Sequence, residues 1–276
     1  MSDVFFAYWQ GFTATGPEPL AAPALRLTPA YVNIVALAFA LPAPGSAIDT
    51  DFLTSKNSKE SILADVAFLR SRGQKVVMIL NGNPNMLWND LDPTRFANNV
   101  KALAAEWSLD GIDLDNEDPD YRNNPDQRFV DLIKATRDTM GDKFILSYPA
   151  FLPWRDGFLA SVRDELTFVN TMAYWNDATY AVGLYQNYAD LVGPEKVCIG
   201  IKPGLNMQDQ STPIAAVPVL AAYQPAGARK AGMMMYSLSL DVEPVTGQAR
   251  FSWAQMVHDA MVRTPPAAPG KAAGPA

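Results

Sequence analysis

Apolar residues along this chain fall into short runs at strand spacing, separated by longer stretches in which they recur every three or four positions. The runs are VFFAYW (4–9), YVNIVALAFA (31–40), KVVMILNG (75–82), LDGIDLD (109–115), FILSYPA (144–150), LTFVNTMAY (166–174), KVCIGI (196–201) and GMMMYSLS (232–239). Each is short, apolar and rich in β-branched, aromatic or other large side chains, as buried strands are. Between them, SKESILADVAFLRSRG (58–73), DPTRFANNVKALAAEW (92–107), PDQRFVDLIKATRDTMG (125–141) and TYAVGLYQNYADLVG (179–193) have helical periodicity, several opened by Asp, Ser, Thr or Pro and closed by Gly. Strand and helix alternating at this spacing imply parallel strands with right-handed crossovers. Eight such units in about 260 residues predict an α/β fold, a (β/α)8 TIM barrel. The first unit is the weakest, because GFTATGPEPLAAPALRLTPA (11–30) is too rich in proline for a good helix. A doubly wound open sheet is the alternative, but no Gly-rich phosphate loop supports it.

No hydropathy break divides the chain, so residues 1–264 are expected to form one barrel. Residues 265–276, in the Pro, Ala and Gly-rich end RTPPAAPGKAAGPA, are expected to be a linker or disordered tail. The chain has 276 residues, 49% hydrophobic and 18% charged, which fits an ordinary soluble globular protein. Its net charge of -7 and lack of clustered Lys and Arg argue against nucleic acid and suit a neutral or cationic ligand. A single cysteine, Cys198, excludes an internal disulfide framework, and its apolar neighbours predict buried packing. A single histidine, His258, leaves no raw material for a His-rich metal site or a Ser-His-Asp triad. No apolar run is long enough to span a membrane, and the start MSDVFFAYWQ has neither a basic n-region nor a small-residue cleavage site. The expectation is a cytosolic protein, or one whose signal has been removed.

The segment LDGIDLDNEDPD (109–120) carries six acidic residues in twelve. A charge run is ordinarily a solvated loop, but this one ends a predicted strand, where barrel enzymes place their functional side chains. Alternation turns Ile112 and Leu114 outward to the helices and Asp113, Asp115 and Glu117 inward, roughly 6 to 7 Å apart along the strand. Crowded carboxyls in a partly dry cleft resist ionisation, so one or more must keep a proton. An acid protonated near neutral pH can donate to a leaving group, as glycosidases require. The rival reading, a calcium loop, fails twice: counted from Asp113, the sixth position is Asp118 instead of Gly and the twelfth is Asn124 instead of Glu.

Asp110, Asp113, Asp115 and Glu117 reproduce a D-x-x-D-x-D-x-E pattern that resembles the signature of glycoside hydrolase family 18, the chitinases and endo-β-N-acetylglucosaminidases. YVNIVALAFA, GQKVVMILNG, VNTMAYWN and AGMMMYSLSLD are similar to that family's second, third, sixth and last strands, and the likeness runs from residue 3 to about 263. The resemblance implies that Glu117 is the general acid and later the base, that Asp115 turns toward Glu117 and the substrate's acetamido nitrogen, and that Asp113 shares a proton with Asp115. Tyr174 is similar to the tyrosine that positions the acetamido carbonyl. That carbonyl would replace a second carboxylate as nucleophile, giving retention of configuration. The resemblance extends to sugar-binding roles for Tyr236, Met172, Asn176, Trp175, Tyr8, Asn81 and Gly82.

The chain departs from the family pattern in three places. The third strand ends Ile79-Leu80-Asn81-Gly82 in place of Ser-x-Gly-Gly, Tyr236 stands where chitinases usually carry tryptophan, and Trp175 separates Tyr174 from Asn176. Only about thirty residues join the seventh and eighth strands, too few for the α+β insertion of deep-groove chitinases. The implied substrates are chitin or chitooligosaccharides cut internally, or N-glycans cut at the chitobiose core. A sugar-binding protein without catalysis is a third possibility. No metal or organic cofactor and no membrane partner is implied, a monomer is expected, and the resemblance implies secretion.

Overall fold

The computed structural model describes residues 3–13, 20–82, 88–117, 127–205 and 210–263. The end 265–276 and the acidic positions Asp118 and Asp120 lie outside the described residues. The eight runs each form a strand: β1 (Val4–Trp9), β2 (Ile34–Ala43), β3 (Lys75–Asn81), β4 (Gly111–Asp115), β5 (Ile145–Ala150), β6 (Phe168–Thr171), β7 (Val197–Ile201) and β8 (Gly232–Met235). Each pairs in parallel with the next, and β1 pairs with both β2 and β8, closing the barrel. At the start of β4 a Cβ on Gly111 would sit 2.3 Å from the Ile145 carbonyl oxygen. Only glycine lets β4 and β5 approach this closely, and that approach sets the position of the acidic row.

Among the described residues, six longer helices lie outside: α1 (Lys59–Ser71), α2 (Pro93–Trp107), α3 (Gln127–Met140), α4 (Ala178–Val192), α5 (Ala216–Ala222) and α6 (Ser252–Arg263). Three starts are fixed by side-chain caps: Ser58 and Asp92, which open the stretches read from sequence, accept from the N–H of Ser61 and Arg95, and Asp177, two residues before the stretch read from Thr179, accepts from the N–H of Tyr180. As the proline content of 11–30 predicts, the first crossover has no α-helix among its described residues, only a short antiparallel pairing of Phe12–Thr13 with Leu20–Ala21 and a 3-10 turn at Leu25–Leu27. The β5–β6 crossover also lacks an α-helix, which simple strand–helix repetition did not anticipate. A 3-10 helix at Asp156–Ser161 replaces it. The buried Asp156 moors this segment by accepting from Tyr148 (3.0 Å), Tyr188 (2.5 Å) and the Leu152 N–H (3.3 Å).

Strand alternation divides the apolar side chains into two cores. Phe6, Ile34, Ala36, Val77, Ile79, Phe168, Cys198 and Met234 fill the barrel interior. Ile112, Leu114, Leu146, Val169 and Ile199 belong to the larger layer between strands and helices. Ile112 and Leu114 therefore face outward as expected, and Cys198 is buried and unbridged. No described helix is long and apolar enough to cross a membrane.

Candidate active site

The C-terminal end of β4 carries Asp113 and Asp115, and Glu117 follows two residues after the strand. Burial falls along the row. Asp113 is sealed at 0% exposure, Asp115 is 5% exposed, and Glu117 reaches the exposed rim. Both Asp113 oxygens accept from hydroxyls, Oδ2 from Tyr8 Oη at 2.6 Å and Oδ1 from Ser147 Oγ at 2.5 Å. Asp115 Oδ2 accepts from Asn81 Nδ2 at 2.5 Å, while Oδ1 is buried without a hydrogen-bond partner among the described residues.

This geometry sorts the protons. Burial raises the Asp113 pKa to about 6, against the opposing pull of hydrogen bonds from Ser147 and Tyr8 that favour the carboxylate. Asp115 is pushed well above the ordinary range, first by burial and then by the charges of Glu117 and Asp113, with only Asn81 opposing. The proton of the pair therefore belongs on Asp115, and Asp113 is equipped to remain ionised. Glu117 is exposed as a residue, but its carboxyl lines the cleft; desolvation raises its pKa and the Arg155 charge pulls it back. Asp110 is structural. It lies before β4, accepts from the Val76 N–H at 2.9 Å, and pairs with Arg70 (2.6 Å) and Lys75 (3.2 Å).

A cleft of about 310 Å³ opens over the row. Of the residues singled out in the sequence, Tyr8, Asn81, Asp115, Glu117, Met172, Tyr174, Trp175 and Tyr236 line it. Asp113 lies beneath. Gly82 does not line the cleft, and its N–H instead donates to the Asp115 carbonyl at 3.1 Å, joining the ends of β3 and β4. Asn176 is also outside the lining, because Trp175 takes the place next to Tyr174. Tyr174 and Tyr236 stack with centroids 5.9 Å apart, and Tyr8 meets Tyr236 edge-on at 5.5 Å. The Tyr174 hydroxyl donates to Met234 Sδ at 3.6 Å. Burial and the nearby acidic groups keep the Tyr8 and Tyr174 phenols protonated.

No family model matches the sequence. Over 139 residues the chain is 27% identical to Chitinase D of Niallia circulans, covering 45% of this chain and 26% of that protein. The match thus spans about a quarter of the curated relative's length. A GH18 chitinase from Chromobacterium violaceum superposes with a TM-score of 0.72 at 18% identity, covering 94% of this chain and 84% of the other. The chain thus shares its barrel fold with a family 18 chitinase of known structure. An endo-β-N-acetylglucosaminidase from Cordyceps militaris shares it, with a TM-score of 0.65 at 17% identity and coverage of 94% and 90%.

At the places where the sequence departs from the family pattern, the structure supplies other partners. Ser147 on β5 donates to Asp113. Its signal was the inward alternation of ILSYPA, the same pattern that oriented the acidic row. Asn81, at the position where β3 departs, holds Asp115. Gln10 continues the inward alternation of β1 and donates to the Tyr236 hydroxyl at 2.7 Å. Arg155, whose guanidinium lies 5.6 Å over the Phe151 ring, had no local sequence signal. Its proximity to Glu117 comes from the helix-free crossover.

Proposed function

We propose that this protein is a retaining glycoside hydrolase that cuts β-1,4-linked N-acetylglucosamine chains internally with the help of the substrate's acetamido group. The observation that carries the reading is the graded row Asp113, Asp115, Glu117, from a sealed carboxylate to an acid on the cleft wall. The acetamido carbonyl oxygen attacks the anomeric carbon as the glycosidic bond breaks, and the departing oxygen takes the Glu117 proton. Glu117, now a base, removes a proton from water. The water oxygen bonds to the anomeric carbon on the face the leaving group vacated, and the oxazolinium ring opens to restore the acetamido group. As positive charge develops on the acetamido nitrogen, Asp115 passes its proton to the ionised Asp113, and the resulting Asp115 carboxylate accepts from the acetamido N–H and stabilises that charge. Tyr174 holds the carbonyl for attack once its hydroxyl leaves the Met234 sulfur, to which it makes only a long contact of 3.6 Å.

Cleavage at the chitobiose core of N-glycans is the second reading. It is favoured by Tyr236 in place of tryptophan and by the Asn81–Asp115 bond at the altered end of β3.

The test sets wild type and Glu117→Gln side by side with N-acetylglucosamine hexamer, with products followed by mass spectrometry. Shorter oligomers from wild type alone are expected, with hexamer binding retained in the variant. An intact hexamer with wild type, together with release of the glycan from a glycoprotein, moves the function to the second reading. Binding with no turnover of either substrate defines a sugar-binding protein.

A further inference from the structure

Gln10 lies two residues beyond Tyr8, just past the end of β1, and is 6% exposed. Three hydrogen bonds tie it to the segment that follows β8. Its N–H donates to Ser239 Oγ (3.0 Å), its side-chain carbonyl accepts from Ser237 Oγ (3.0 Å), and its amide nitrogen donates to Tyr236 Oη (2.7 Å). The mechanism above uses none of these bonds. Their consequence is carried by the phenol of Tyr236, which has one proton to give and lone pairs to receive. With Gln10 donating to the oxygen, the Tyr236 proton must go elsewhere. No described residue accepts it, and Tyr236 lines the cleft that holds Asp115 and Glu117.

We propose that Gln10 is a positioning residue: by occupying the acceptor side of the Tyr236 hydroxyl, it commits the phenolic proton to the cleft, where Tyr236 donates it to an oxygen of the bound sugar. The acidic groups of the cleft support this orientation, since a hydroxyl dipole turns its positive end toward them. Tyr236 thereby offers a directed donor as well as a ring face, which selects for a substrate with a hydroxyl or acetamido oxygen at that position. The stacked Tyr174 makes the contrast, because its own proton is engaged by Met234. This inference rests on reading the cleft as a sugar-hydrolysing site.

Gln10→Glu tests it, because the carboxylate keeps the size of the side chain and still accepts from Ser237 while also taking the proton of Tyr236. The expected result is a fall in kcat/KM on N-acetylglucosamine hexamer of about tenfold, the scale of one lost hydrogen bond. Tyr236→Phe should show a similar fall, and Gln10→Glu should add less than about twofold in that background, since both changes remove the same bond. Full activity in Gln10→Glu overturns the proposal, as does an equal loss in both backgrounds. If the buried carboxylate prevents folding, Tyr236→Phe alone decides, and undiminished kcat/KM is then the overturning result. Wild-type turnover of hexamer or glycoprotein tests the underlying reading separately. If turnover is absent, hexamer affinity by calorimetry takes its place: weaker binding by Tyr236→Phe upholds the inference and equal binding overturns it. No binding by wild type overturns both.

Discussion

Tyr8 on the first strand and Asp113 on the fourth meet inside the barrel, 105 positions apart in sequence and 2.6 Å apart at the hydroxyl and carboxylate oxygens. The bond favours the charged form of a group that burial otherwise drives toward neutrality. Tyr8→Phe removes one donor and leaves Ser147 donating to Asp113. The expected cost is about 1–3 kcal/mol of stability near pH 7.5, measured by urea denaturation. The Asp113 pKa rises further, so kcat falls most near and below pH 6, where the ionised fraction is most sensitive to the rise, and much less near pH 7.5, while KM changes little. An unchanged kcat would remove Asp113 ionisation from the mechanism.

The buried carboxyls also fix how stability depends on pH. Asp113 and Asp241 have folded pKa values of about 6, above the value of about 4 that aspartate has in an unfolded chain. The folded state therefore binds their protons more tightly. This contribution is fully present below about pH 4 and is lost as pH rises toward about 6. Asp115 and Asp156 are shifted in the same direction. Melting temperature should fall over this window. Asp115→Asn, which cannot ionise, should raise the melting temperature above wild type at pH 7.5, with the gain shrinking toward pH 4, while lowering kcat more than affinity. A melting temperature that rises with pH in wild type would contradict the assigned proton distribution.

Arg155 holds the Glu117 pKa down against desolvation. Arg155→Met keeps much of the packing over Phe151 and removes the charge. Glu117 should then hold its proton to higher pH, so the basic limb of the kcat/KM profile should move upward. A downward shift would contradict the role assigned to this charge.

The first aspartate of the acidic signature should behave unlike the others. Asp110→Asn weakens the exposed-side pairing with Arg70 and Lys75 and keeps an acceptor for the Val76 N–H. A stability loss of about 1 kcal/mol or less is expected, with kcat within about twofold of wild type on the same hexamer assay. A hundredfold loss of turnover in a folded variant would show that Asp110 reaches the chemistry.

What could be read from the sequence followed what is local. Strand alternation in GIDLD alone placed Ile112 and Leu114 in the outer layer and the aspartates inside, because the two-residue period leaves no other choice once one face is apolar. Caps at Ser58 and Asp92 were likewise readable, since each acts within three residues; the cap at Asp177 lies two residues before the stretch that periodicity marked from Thr179. The partners of the acidic row were harder: Tyr8, Asn81 and Ser147 come from three other strands, and which of them meets which carboxylate depends on barrel register. Gly82 and Asn176 came from the family resemblance of the third and sixth strands, and neither is among the residues that line the cleft. Arg155 reaches Glu117 through a crossover whose proline and glycine disfavour a helix, and periodicity carries no information there.

The mooring of that crossover bears on how this scaffold diversifies. Residues 151–161 bring Phe151 to one wall of the cleft, and the segment is secured by Asp156 through Tyr148 and Tyr188 and by the buried Leu159 instead of by the packing of a full helix. Insertions or deletions between these anchors and the strand ends can reshape the wall without disturbing the strand ladder that aligns Asp113 and Asp115. Selection for a new glycan partner would find its shortest route here, with the reactive centre inherited unchanged.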